Sequence, residues 1–179
     1  MTSIVTVCTG NICRSPAAAL LLRDYLGDLA EVSSAGTHAL EGHPIPHEML
    51  TALDGVGLDG RAHRARALSG EVTRGADLII AMAGDHRAFA VRQAPAALKR
   101  TVLLDELARA AREGIVLEGS SAKERLGQVA ATVAAHRTAL ADPPPRDVPD
   151  PYRRGQGAYD DAFTMIHHAV RDVAAWVRS

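Results

Sequence analysis

At 179 residues the chain has the length of one domain with a core of its own, and a single domain over 1–179 is expected. Its 20 Lys and Arg against 21 Asp and Glu leave a formal net charge of -1, which excludes the basic excess that nucleic acid or an anionic membrane surface calls for. Two cysteines build no disulfide framework, no apolar run reaches spanning length, and the start of the chain lacks a charged region followed by a hydrophobic one, so a cytoplasmic protein without membrane insertion is expected.

The first element is a short strand, Ser3 to Val7, mostly apolar and without clean alternation, as for a strand covered on both faces. A helix-forming run from Ala17 to Leu26 follows, with Ala19, Leu22 and Leu26 at helical spacing and Gly27 as its stop. Between them lies Cys8-Thr9-Gly10-Asn11-Ile12-Cys13-Arg14-Ser15-Pro16. Ser15 suits a helix N-cap and Pro16 the first helical position, where a missing N–H costs nothing. Gly10 and Asn11 tolerate positive φ, so the loop can curl until several backbone N–H groups face one point in front of a helix N-terminus. Such a nest holds an anion. With Cys8 at its base, the same dipoles, the Ser15 hydroxyl and the Arg14 charge favour thiolate over thiol. Arg14 offers a planar fork for two oxygens of a phosphate, whose phosphorus then lies above the sulfur. The stretch predicts phosphoryl transfer to Cys8.

Glu31 to Ser34 reads as the second strand and leads into an irregular segment from Ala35 to Pro44. A helix is expected over Ile45 to Leu53, a turn over Gly55 to Gly60, a third strand over Asp77 to Met82, a short helix over Asp85 to Val91 and a fourth strand over Arg100 to Leu104. Strands alternating with helices predict a three-layer α/β fold, a parallel sheet of about four strands with helices on both faces and the ligand beyond the carboxyl ends of the strands. Two further helices, Asp105 to Arg112 and Ser121 to Leu140, flank a turn at Gly114 to Ser120. The second carries Leu126, Val129, Val133, Arg137 and Leu140 in helical register and is expected to pack on the core. From Asp142 to Pro151 there are five prolines in ten residues, a stiff loop. By composition alone its Asp142, Asp147 and Asp150 are rival proton donors. The closing helix, Tyr159 to Arg178, has Phe163, Ile166, Val170, Val173 and Val177 as its core stripe. His167 and His168 on it have no partner at ligand spacing, and neither metal nor cofactor is expected.

Cys8, Arg14 and Ser15 fit the C-x5-R-[ST] phosphate-binding loop of cysteine-dependent phosphatases, and the run from Cys8 to Pro16 resembles the signature of the low-molecular-weight protein tyrosine phosphatase family, bacterial type. Ser34-Ala35-Gly36-Thr37, His63-Arg64-Ala65-Arg66 and Asp150-Pro151-Tyr152 extend the resemblance over nearly the whole chain. It implies a cysteine-dependent phosphomonoesterase that dephosphorylates phosphotyrosine in proteins through a phosphocysteine intermediate. Cys8 would attack phosphorus, and Arg14 with the backbone of Thr9, Gly10, Asn11, Ile12 and Cys13 would bind its oxygens. Asp150 would protonate the leaving group and then activate water. Asn11 would prop the loop and Ser15 would steady the thiolate, with His63 hydrogen-bonded to Ser15. Tyr152 would form one pocket wall and Leu40 another, at a position where many members carry an aromatic. Apart from the resemblance, Cys13 lies close enough to Cys8 in the loop for the two to pair, and a reversible disulfide that shields Cys8 from overoxidation is expected.

The resemblance further implies a phosphotyrosine protein as partner, a bacterial tyrosine autokinase among the candidates, and a monomer or weak dimer. Residues 105–140 read as a helical insertion in an otherwise compact family. Protein arginine phosphatases resemble the signature with threonine where Ile12 stands, and arsenate reductases that use an external thiol share the loop. A phosphotyrosine-binding protein without turnover would have no need of Asp150.

Overall fold

The computed structural model describes residues 1–179 and shows one parallel sheet of four strands, β1 (Thr2–Cys8), β2 (Ala30–Gly36), β3 (Leu78–Ala81) and β4 (Thr101–Leu103), in the order β2-β1-β3-β4. Seven helices cover it: α1 (Arg14–Leu26), α2 (His47–Asp54), α3 (Gly70–Gly75), α4 (Gly84–Gln93), α5 (Leu104–Arg112), α6 (Ala122–His136) and α7 (Gln156–Arg178).

The two-residue period of a strand sorts its side chains between two layers. Ile4 and Cys8 of β1 join Leu78, Ile80, Val32 and Val102 in the core under α1, α2, α5, α6 and α7. Val5, Val7 and Ile79 face the other way, onto Leu68, Ala76 and Ala90 of the α3–α4 side. Both faces being covered, β1 is buried without a break from Ile4 to Cys8, which is why it shows no polar–apolar alternation. Thr6 fits inside because its hydroxyl donates to the Ser15 carbonyl at 2.8 Å. On α7, Phe163, Ile166, Val170, Val173 and Val177 are all buried, and full burial of such side chains contributes roughly 1.5–3 kcal/mol each.

Strand order reverses between β1 and β3, so the loop leaving the carboxyl end of β1 lies at the topological switch point, where open α/β sheets bind ligands. Two elements depart from the sequence reading. The helix expected to run to Leu140 stops at His136, and Leu140 is buried instead in a single turn, Ala139–Ala141. Arg109 takes the Leu140 carbonyl at 2.7 Å and the Asp142 carbonyl at 3.0 Å, so this backbone is satisfied from α5 and not by a continued helix. α3 was not anticipated, since a glycine at each end reads as a breaker; Ser69 caps it by accepting from the Val72 N–H at 3.1 Å.

Candidate active site

The loop from Cys8 to Arg14 is held from outside by its own carbonyls. Those of Cys8, Thr9 and Gly10 accept from the N–H groups of Thr37, His38 and Leu40 at 2.9, 3.0 and 3.0 Å, and that of Asn11 from His63 Nε2 at 2.7 Å. A planar trans peptide carries its N–H opposite its C=O, so the N–H groups of Thr9, Gly10, Asn11 and Ile12 face inward. The loop curls as the sequence led one to expect, with its N–H groups on the side away from those contacts. The outer chain comes so close that a Cβ at Gly36 would lie 2.5 Å from the Thr9 carbonyl oxygen, which fixes glycine there. Only Asn11 turns left-handed, with φ 54°; Gly10 keeps ordinary φ.

Asn11 is fully buried and spends its side chain on the fold of the loop. Its Nδ2 donates to Ser15 Oγ at 3.0 Å and Ser34 Oγ at 2.9 Å, and its Oδ1 accepts from the Arg66 N–H at 2.9 Å. Ser15 Oγ lies 3.0 Å from Cys8 Sγ. Asn11 fills one acceptor site of that hydroxyl, which leaves its proton to the sulfur at 3.0 Å or to the more distant Ala35 carbonyl at 3.4 Å. Two expectations are thereby corrected. Ser15 does not cap α1; the cap is Cys13, without a side-chain hydrogen bond, because the Ser15 hydroxyl is turned to Cys8 and Asn11. His63 does not reach Ser15 but donates to the Asn11 carbonyl, four residues earlier in the loop, and burial holds it below the ordinary histidine value.

Arg14 is buried at 5 % exposure, and its Nη1 donates to the Val148 carbonyl at 3.0 Å while Nη2 pairs with Asp150 Oδ2 at 3.2 Å. The Asp150 side chain is half exposed, and its Oδ1 accepts from the Tyr152 N–H at 3.3 Å. Tertiary ties separate the three aspartates of the proline loop. Asp147 Oδ1 accepts from the Gly84 N–H at the start of α4, and the Val148 N–H donates to the Met82 carbonyl, so the chain is pinned just before Asp150. Asp142 contributes its carbonyl to Arg109. Asp150 alone of the three meets Arg14.

Cys8, Thr9, Gly10, Ile12, Cys13 and Arg14 form the floor of a cavity of about 180 Å³, and His38, Leu40, Asp150 and Tyr152 its walls. Every cavity residue proposed from sequence is gathered there, with Asn11, Ser15 and His63 behind it. Cys13 turns to Tyr159, its Sγ 3.9 Å from the hydroxyl, and burial pushes its thiol up to about 12. Sequence reasoning missed His38 and His86. The latter is 1 % exposed at the start of α4, with Nε2 2.9 Å from Thr9 Oγ1; a polar residue just past the carboxyl end of β3 was the available signal. His167 packs in α7, 2.9 Å from the Tyr25 hydroxyl.

Residues 3–118 match the model of the family described as low molecular weight phosphotyrosine protein phosphatase. The chain is 33% identical over 174 residues to the low molecular weight protein-tyrosine-phosphatase Etp of Escherichia coli (strain K12), covering 96% of this chain and 92% of that one. It resembles the structure of Vibrio vulnificus Wzb in complex with benzylphosphonate, with a TM-score of 0.71, 25% identity and coverage of 98% and 97%. The YwlE arginine phosphatase from Geobacillus stearothermophilus superposes with a TM-score of 0.73 at 25% identity, covering 98% of this chain and 92% of that one. With a matching signature loop, a family match over most of its length and a full-length relative, this chain belongs to the low molecular weight phosphotyrosine protein phosphatase family.

Proposed function

We propose that the protein is a protein-tyrosine phosphatase that works through a phosphocysteine on Cys8. The observation that carries this reading is the convergence on one cavity of the Cys8 sulfur, inward-facing loop N–H groups, the buried Arg14 and the Asp150 carboxyl. Arg14 and the loop N–H groups hold the phosphoryl oxygens and stabilise the charge that develops on them. The Cys8 thiolate attacks phosphorus, the P–O bond breaks, and Asp150 in its neutral form passes its proton to the leaving oxygen. Asp150, now a carboxylate, takes a proton from water as the water oxygen attacks phosphorus, the S–P bond breaks, and the Ser15 hydroxyl supports the departing thiolate. Ile12, Leu40 and Tyr152 give the mouth apolar walls suited to an aromatic ring.

On this reading the substrate is a phosphotyrosine protein, a bacterial tyrosine autokinase being the candidate, met in the reducing cytoplasm where Cys8 stays reduced. Cys13 is the partner for a protective disulfide once Cys8 is oxidised. The test is turnover of p-nitrophenyl phosphate and of phosphotyrosine and phosphoarginine peptides with reductant present, and of arsenate with an external thiol. The reading requires phosphotyrosine to be preferred, Cys8→Ser to abolish turnover and Asp150→Ala to lower it. Preference for phosphoarginine or arsenate, or peptide binding without turnover, would replace it.

A further inference from the structure

Thr9 and His86 have no place in the mechanism above beyond the Thr9 backbone, yet their side chains meet beside Arg14. His86 Nε2 lies 2.9 Å from Thr9 Oγ1 and 3.5 Å from Asp85 Oδ1, and Arg14 Nη2 lies 3.5 Å from the same Thr9 oxygen. Thr9 lines the cavity. His86 is 1 % exposed, and its Nδ1 is buried with no hydrogen-bond partner.

The proton positions follow from that inventory. With the proton on Nδ1, a buried N–H would be left without an acceptor, the rarer and costlier arrangement. With the proton on Nε2, it is shared between Thr9 Oγ1 and the Asp85 carboxylate, and only a lone pair at Nδ1 is unmatched. Protonating both nitrogens would bury an unpaired charge-bearing N–H, in line with a histidine that burial holds below its ordinary value. Arg14 carries donors only. Both lone pairs of Thr9 Oγ1 thus receive donors, from His86 and from Arg14, and its own proton has to point elsewhere.

Resting on the phosphatase reading, we propose that the Thr9 hydroxyl is a further donor to the transferred phosphoryl group, and that neutral His86 is the positioning residue that turns its proton into the cavity. The loop then offers its anion one side-chain donor in addition to the backbone and Arg14. No proton changes hands; the O–H bond stays intact and accepts charge as a hydrogen bond. Such a donor acts on any tetrahedral or trigonal-bipyramidal oxyanion at the site, whatever the leaving group.

Orthovanadate inhibition and p-nitrophenyl phosphate kinetics, measured on the same proteins, test this. Thr9→Val and His86→Leu should each raise the vanadate inhibition constant about tenfold, the size of one hydrogen bond to a charged group. The double variant should be no worse than either single one, because both remove the same proton. Thr9→Ser and His86→Gln keep a hydroxyl and an Nε2 donor, and should restore most of the inhibition. Multiplicative losses in the double variant, or an unchanged inhibition constant in Thr9→Val, would overturn the proposal. His86→Leu lowering the melting temperature alone, with vanadate affinity intact, would assign His86 to packing. If His86→Leu does not fold, the Thr9→Val and Thr9→Ser pair decides by itself. A wild-type protein without phosphatase activity would refute the parent reading, whereas an active, vanadate-sensitive wild type with an indifferent Thr9 would refute this one alone.

Discussion

Replacing Asn11 by alanine should damage both fold and chemistry, and the size of the effect can be worked out from its contacts. The side chain makes three hydrogen bonds, two buried ones to Ser15 and Ser34 and a partly buried one from the Arg66 N–H. At about 1 kcal/mol net each, their loss removes about 3 kcal/mol. Alanine must also hold φ near 54°, which costs a further ~1–2 kcal/mol because its Cβ crowds the carbonyl in the left-handed region. The total is about 4–5 kcal/mol, which for a chain of this length lowers the melting temperature by about 8–20 °C. Glycine, which takes positive φ freely, loses the hydrogen bonds but escapes the strain, and should be about 1 kcal/mol better than alanine. Because Asn11 aligns Ser15 with Cys8, kcat/KM should fall about 100-fold in both variants, the scale of a displacement near 1 Å. Thermal denaturation and p-nitrophenyl phosphate kinetics measure the two effects. A loss of stability below about 1 kcal/mol, or alanine and glycine indistinguishable, would refute the reasoning.

Other consequences are less elaborate. Arg109→Ala frees the carbonyls of Leu140 and Asp142, so the proline loop should become sensitive to protease near residues 141–147 and kcat should fall several-fold; unchanged kcat in a nicked loop would mean that Arg109 does not position Asp150. With limiting iodoacetamide at neutral pH, Cys8 should be alkylated and Cys13 spared, since burial pushes the latter up to about 12; peptide mapping that finds Cys13 labelled first would contradict this. Burial holds His63, His86 and His167 below the ordinary value of 6.5, so as pH falls below that value the unfolded chain binds more protons than the folded one. The melting temperature should drop between pH 7 and 5, less steeply in His63→Gln and His167→Gln; a level or rising profile would show the sign to be wrong.

The parts legible in the sequence were those whose determinants are local. The run from Cys8 to Ser15 brings a curled loop, a cysteine and an arginine together within a few residues, and the apolar strands announced a sheet covered on both faces. Asp150 became distinct from Asp142 and Asp147 only through a family pattern, because what separates them physically is contact with Arg14, Met82 and Gly84. The partner of His63 is the Asn11 carbonyl and not the Ser15 hydroxyl, since sequence cannot tell which polar atom of a curled loop faces outward. The helical periodicity ran on to Leu140, but the Leu140 carbonyl is taken by Arg109, 31 residues earlier in the chain, beyond the end of α6 at His136. Thr9 and His86 are 77 residues apart and share no periodicity, so only the sheet that brings both to its carboxyl edge reveals them.

The central claim is that phosphate passes through the Cys8 sulfur. Mixing the protein with a phosphotyrosine peptide, stopping with a rapid denaturing quench and mapping the phosphoryl group by mass spectrometry addresses it directly, with Cys8→Ala as control. The structure predicts phosphate on the peptide containing Cys8, absent from Cys8→Ala, with turnover lost in step. Turnover that persists in Cys8→Ala, or phosphate found on any other residue of the wild type, would contradict it.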